Sequence, residues 1–150
     1  MNKIILLLFS VLCLMGRAQG NSEWKMCVVS DVHLMAPELL KSDGKAFQDY
    51  LSSDRKLLGE SVEIMDSITN RLLAEHPKVL LVTGDLTKDG ENVSHQYLVD
   101  HFLSKLRRSG VRVFVVPGNH DVNNPHAVVF DGDKTRRTTT VSPSEFASIY

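Results

Sequence analysis

Three short, valine-rich apolar runs recur along the chain: Met26-Cys27-Val28-Val29, Val79-Leu80-Leu81-Val82, and Val111 to Val116 with only Arg112 interrupting. Each is continuous rather than alternating, a pattern that predicts strands buried on both faces. Between the first two, Leu58, Val62, Met65, Ile68 and Leu72 step by four, three, three and four, while Glu60, Glu63 and Asp66 face elsewhere. That spacing predicts an amphipathic helix, its end marked by Pro77. Between the second and third runs, Leu98, Phe102 and Leu106 form one stripe with Val99 and Leu103 beside it, and Gly110 stands in place as a terminating residue. The order strand, helix, strand, helix, strand predicts an α/β fold with a parallel sheet joined by right-handed crossovers. In such sheets ligands gather at the carboxyl ends of the strands.

The remaining stretches are less periodic. Pro37 to Gly59 is polar and charged, with an amphipathic hint in Phe47, Tyr50 and Leu51, and reads as a loop or a short helix. After Asp121 the segments Asn123-Asn124-Pro125, Asp131-Gly132-Asp133 and Ser142-Pro143 read as loops. Only Glu145 to Tyr150 looks like the beginning of a helix.

The chain has 150 residues, 43% apolar and 23% charged, which suits one hydrophobic core. Residues 1–20 read as a signal peptide: Lys3 supplies the positive start, Ile4 to Met15 the apolar stretch, and Ala18-Gln19-Gly20 the small residues of a cleavage site. Residues 21–150 then form the domain, and the expected location is periplasmic or extracellular in a bacterium. The apolar run, broken by Ser10, is too short for a membrane span. Without Lys3 and Arg17, 15 basic residues face 18 acidic ones, a net charge near −3 that argues against a strong grip on nucleic acid. Cys27 is the one cysteine outside the leader, so no internal disulfide is expected. It reads as a small buried hydrophobe with no catalytic role.

The chemistry lies at the strand ends: Ser30-Asp31-Val32-His33 after the first, Gly84-Asp85 after the second, Gly118-Asn119-His120-Asp121 after the third. Residues two apart in an extended segment point to the same side, so Asp31 and His33 are expected to grip one ion together. A carboxylate with an imidazole suits a divalent transition metal. Asp85 follows a glycine that frees the backbone to turn, and its two oxygens are able to bridge two ions; Asn119 adds a neutral oxygen ligand. Two ions about 3.5–4 Å apart clamp the attacking and leaving oxygens of an in-line displacement, the chemistry phosphate esters require. His120 is then the candidate proton donor to the departing alkoxide, with Asp121 orienting it. His76, His95 and His101 read as structural or solvated. His126, Arg136 and Arg137 lie on the strand-end side, more at home in a solvated loop than on a substrate phosphate.

Asp-x-His, Gly-Asp and Gly-Asn-His-Asp, in this order and each after an apolar strand, resemble the calcineurin-like metallophosphoesterase family. The text Ser30 to Leu34 and Gly84-Asp85-Leu86-Thr87 is similar to its bacterial phosphodiesterase-like branch. The resemblance implies an αββα sandwich of two sheets flanked by helices, of which this chain holds the amino-terminal βαβαβ part. It implies a metal-dependent phosphodiesterase or phosphomonoesterase acting on a small phosphoester, with two divalent ions (Mn, Fe or Zn) and a metal-bound hydroxide. Asp31 and His33 would be ligands of the first metal, Asp85 the bridge, Asn119 a ligand of the second, His120 the proton donor and Asp121 its support.

The family's later motifs, including a Gly-His-x-His segment, have no counterpart in these 150 residues, and His126 is too close to His120 to stand in for them. The alternative expectation is therefore a catalytically incompetent truncated fragment with a partial metal site, its sheet left with an exposed edge and an uncovered face. A Rossmann-type nucleotide-binding domain shares the alternation of elements but needs a glycine-rich loop where Ser30-Asp31-Val32-His33 stands.

Overall fold

The computed structural model describes residues 24–150; the expected leader, residues 1–20, lies outside the described residues. In chain order the strands are β1 (Met26–Ser30), β2 (Leu40–Ser42), β3 (Val79–Thr83), β4 (Arg112–Val116), β5 (Val128–Asp131) and β6 (Lys134–Arg137). The helices are α1 (Lys45–Ser53), α2 (Ser61–Glu75), α3 and α4 (Pro143–Ile149). The third runs continuously through Asn92–Leu98, a π turn at Val99–Leu103, and Ser104–Arg108.

The three apolar runs form one sheet in the order β1-β3-β4, parallel at both junctions, with Cys27, Leu80 and Val113 in one row across it. α2 and α3 supply the cover for one face. Met65 and Leu72 from α2, and Leu98, Phe102, Leu103 and Leu106 from α3, join Leu80 and Val82 in a single buried cluster. Burying a side chain such as Leu98 or Phe102 from water stabilises by about 1.5–3 kcal/mol, and both are essentially inaccessible. The π turn widens the apolar stripe of α3, letting Phe102 and Leu103 both face the core. α2 stops where His76 takes a left-handed conformation, its N–H closing on the Leu72 carbonyl. Leu58 lies before α2 rather than within it and packs in a different cluster.

The expected burial of the strands on both faces is corrected. β1 and β4 alternate, leaving Met26, Val28, Phe114 and Val116 each more than half exposed. Val28, Leu81 and Phe114 pair across the strands, so the uncovered face carries a continuous apolar row. Among the described residues, none buries this row.

A second, smaller sheet has the order β2-β5-β6, with β2 parallel to β5 and β5 antiparallel to β6. The stretch read as a loop or a short helix supplies both β2 and α1, and the stretch after Asp121, read as loop, supplies β5 and β6. The β5–β6 hairpin turns on Gly132 and Asp133 between the paired Asp131 and Lys134, with Gly132 at φ 62°, as a two-residue hairpin turn demands. Phe47 of α1 and Phe130 of β5 meet at a tilt, centroids 5.0 Å apart, in its own apolar cluster with Met35, Leu39 and Leu58. α4 begins with a capping box, Ser142 and Glu145 each serving the other's backbone N–H, with Pro143 in its first turn.

Candidate metal centre

The loops after β1 and β3 stay paired beyond the strands. Asp31 N–H donates to the Gly84 carbonyl at 3.3 Å, His33 N–H to Asp85 at 2.9 Å, and Leu34 N–H to Leu86 at 3.0 Å. This ladder fixes Asp31 and His33 against Asp85. The expectation that the first pair projects from an extended segment is corrected: Asp31, His33 and Asp85 have φ of 54°, 44° and 40°. All three sit in the left-handed region, which costs a non-glycine residue about 1–3 kcal/mol and collects at functional sites.

The strained backbone brings the three side chains together. One ligand atom from each of Asp31, His33 and Asp85 lies within 4.8 Å of the others. His33 Nε2 stands 3.9 Å from Asp85 Oδ2, and His33 Nδ1 is buried without a hydrogen-bond partner. A buried polar atom left unanswered is costly unless a ligand completes it. Burial, reinforced by the Lys56 ammonium and only partly opposed by the Asp85 carboxylate, holds the His33 imidazole below its ordinary pKa. The neutral ring that results is the form that coordinates metal. Two carboxylates and a neutral imidazole, one nitrogen of it orphaned, fit a divalent transition-metal ion.

The third strand end closes over Asp85. His120 N–H donates to Asp85 Oδ1 at 2.9 Å. Gly118 is obligatory, since a Cβ there would collide with both the carboxylate and the amide nitrogen of Asp85. Asn119 lies exposed between these two residues on the same turn. The His120 ring meets that of His33 edge-on with centroids 5.1 Å apart. The structure therefore brings together Asp31, His33, Asp85 and His120, with Asn119 beside them.

Asp121 holds a different place from the one expected. Its inaccessible carboxylate accepts from Leu86 N–H at 3.1 Å and Gly118 N–H at 2.7 Å through Oδ2, and from the N–H and hydroxyl of Thr87 at 3.0 and 3.1 Å through Oδ1. It ties the loop after β3 to the loop after β4. The ring contact expected from Asp121 is made by Asp89, whose Oδ1 lies 3.0 Å from His120 Nδ1, with the Lys88 carbonyl at 2.8 Å. A carbonyl only accepts, so Nδ1 carries the hydrogen and Nε2 is left for chemistry.

Sequence reasoning also missed how far His95 reaches. Fully buried on α3, it lies 2.9 Å from the Asp121 carbonyl through Nε2 and 2.8 Å from the Tyr150 hydroxyl through Nδ1. The carbonyl again sets the tautomer: Nε2 donates and Nδ1 accepts. Burial, partly opposed by that carbonyl and the Asp121 charge, keeps its pKa below the ordinary value. Of the remaining candidates, Arg136 pairs with Asp131 at 2.7 Å, and Arg137 and His126 are exposed. His76 caps α2 and His101 stacks on Tyr97.

A cavity of about 360 Å³ opens beside the ligands, walled by Val32, Leu57, Leu58, Ile64 and Ile68, with Ser30, Asp31, His33 and Lys56 completing its lining. Among the described residues, no helix is long and apolar enough to cross a membrane.

A parallel sheet whose strand ends present Asp, His and Asp to a single point, with a carboxylate-held histidine alongside, is an α/β arrangement fit to hold a divalent metal ion. The chain belongs to the calcineurin-like phosphoesterase family, whose model matches residues 25–146. Membership implies metal-dependent phosphoester hydrolysis. No curated protein matches the chain.

Proposed function

We propose that the chain hydrolyses small phosphate mono- or diesters at a centre of two divalent ions, drawn from Mn, Fe or Zn. The observation that carries this reading is the convergence of Asp31, His33 and Asp85 within 4.8 Å, beside a histidine whose Nδ1 is held by Asp89. Divalent ions bound there would polarise the phosphoryl oxygens and lower the pKa of water to the neutral range. Asp31 and His33 would hold the first ion, and Asn119 would supply an amide oxygen to the second. The two oxygens of Asp85 face different partners, the His120 amide and the His33 ring, which suits a bridging ligand.

Hydroxide, formed from water that has released a proton to solvent, would attack phosphorus in line as the ester oxygen departs. In its cationic form His120 carries a proton on Nε2; passing it to the leaving alkoxide yields the free alcohol and a neutral ring that keeps Nδ1–H on Asp89 and Lys88. The ester's organic group lies against Val32, Ile64 and Ile68 in the adjoining cavity, and Lys56 at its lining offers a cation to a phosphoryl oxygen. Export directed by residues 1–20 is part of the proposal, supported by their leader-like sequence; amino-terminal sequencing of the secreted chain tests it.

A second reading, metal binding without turnover, draws support from the donor count: three Asp and His groups converge among the described residues. The test is hydrolysis of bis-p-nitrophenyl phosphate and p-nitrophenyl phosphate by the 150-residue chain with Mn, Fe or Zn, alongside metal analysis. Asp85→Asn is expected to lose bound metal and to cut activity by at least about 10³-fold, because it removes charge from the ligand set. Hydrolysis undiminished in Asp85→Asn would defeat the proposal, and bound metal with no hydrolysis would establish the second reading.

A further inference from the structure

Lys88 has no accessible surface at all. A buried ammonium persists only where its charge is answered. Its Nζ donates to Asp89 Oδ2 at 2.5 Å and lies 3.4 Å from Glu91 Oε1. The ring centroids of Tyr50 and Phe130 stand 4.8 and 5.5 Å from it. Tyr50 belongs to α1 and Phe130 to β5, so the aromatic walls come from the small second sheet and its helix, while the carboxylates come from the loop between β3 and α3. Metal ligation uses neither Lys88 nor Glu91.

Asp89 links this buried cation to the candidate proton donor. Its Oδ2 is held by Lys88 and its Oδ1 by His120 Nδ1, with Asn124 Nδ2 also on Oδ1 at 3.3 Å. Glu91 Oε2 accepts the Asp89 N–H at 3.1 Å, fixing the same residue from the backbone side. A carboxylate engaged at both oxygens is restrained from rotating, and together with the Lys88 carbonyl it fixes the ring it touches.

We infer that Lys88 is a positioning residue for proton transfer: by fixing Asp89 Oδ2 it aims Oδ1 at His120 Nδ1 and so sets the direction of Nε2. Through Lys88 the packing of the second sheet reaches the reaction, although that sheet contributes no residue to the metal-binding cluster. The kinetic consequence rests on the proposed phosphoester hydrolysis; the ring's orientation belongs to the folded chain alone.

The experiment compares the full chain with Lys88→Met, which keeps an unbranched stem between the rings and removes the ammonium. Histidine-selective ¹⁵N NMR of the metal-free protein, with His120 assigned through His120→Gln, reads the tautomer directly. The wild type should show a protected, low-field Nδ1–H on His120, and Lys88→Met should shift that signal and lower its protection, the Lys88 carbonyl alone then holding the hydrogen. In the metal-loaded protein, kcat for an alkyl phosphoester should fall about tenfold more than kcat for its p-nitrophenyl counterpart, with KM unchanged, because only the poor leaving group needs the proton. A loss of packing alone would lower both equally.

Lys88→Met leaves two buried carboxylates unanswered, so Tyr50→Leu, which removes one ring and keeps the ammonium, serves as the second variant, with the same shifts at smaller amplitude. An unchanged His120 signal in the folded variants, or equal losses with both leaving groups, would overturn the inference. Should the wild type hydrolyse no phosphoester, the proposed function falls, and the NMR comparison still decides the role of Lys88.

Discussion

Asp121→Asn separates building the site from working in it. The wild-type carboxylate accepts four hydrogen bonds, three from backbone amides and one from the Thr87 hydroxyl, in a place with no exposure to water. An asparagine keeps one oxygen. Its best placement leaves that oxygen on Leu86 and Gly118 and turns the amide nitrogen toward Thr87, whose hydroxyl can reverse to accept but whose N–H cannot. One charge-assisted bond is lost, worth about 1.5–3 kcal/mol, and one buried N–H is stranded, costing about 1–3 kcal/mol more. The sum, about 2.5–6 kcal/mol, is a large fraction of the stability of an ordinary domain, about 5–15 kcal/mol. Urea denaturation followed by far-ultraviolet circular dichroism should show a midpoint lower by more than about 1 M. A midpoint within about 0.5 M of wild type, together with lost hydrolysis, would refute this account and place Asp121 in the chemistry.

Acid should weaken the metal-free protein through His95. Its folded pKa lies below the ordinary value, chiefly by burial, so the unfolded chain binds more protons as pH falls through about 6.5. Stability is full above that pH and declines below it, and His95→Gln should flatten the fall in melting temperature between pH 7 and pH 5; an equally steep fall would contradict the assignment. In the cavity, Ile64→Asp sets a charge where an organic group is proposed to lie, and KM for aryl phosphoesters should rise about tenfold through lost apolar contact with kcat little changed. Steady-state kinetics that show the reverse pattern would place the substrate elsewhere.

The parallel sheet and its two covering helices were legible because short continuous apolar runs and a regular helical stripe leave strong signals. The strand-end residues were legible for a related reason: once the strands are placed, Asp31, His33, Asp85 and His120 can only fall on one edge. The second sheet was not legible, since β6 is Lys-Thr-Arg-Arg with every side chain exposed and β2 has only three residues. Only the Gly132-Asp133 turn announced it. Continuous apolarity in β1 and β4 misled about burial, because composition reports what a face would tolerate and not whether an element lies over it. Asp89, Lys88 and His95 stayed hidden because a charged or polar side chain looks alike in sequence whether it faces water or a partner; their burial is created by contacts from α1, β5 and Tyr150, far away along the chain.

The left-handed backbone at Asp31, His33 and Asp85 has a consequence for how affinity arises. Arranging ligands around an ion normally draws on the energy of binding; here the conformational penalty falls on folding, and the ion meets donors that are already in register. Substitutions divide accordingly. Asparagine at Asp31 or Asp85 tolerates the same backbone and tests the charge alone, whereas a β-branched residue opposes the backbone as well. The fold carries the strain continuously, and the metal inherits the benefit.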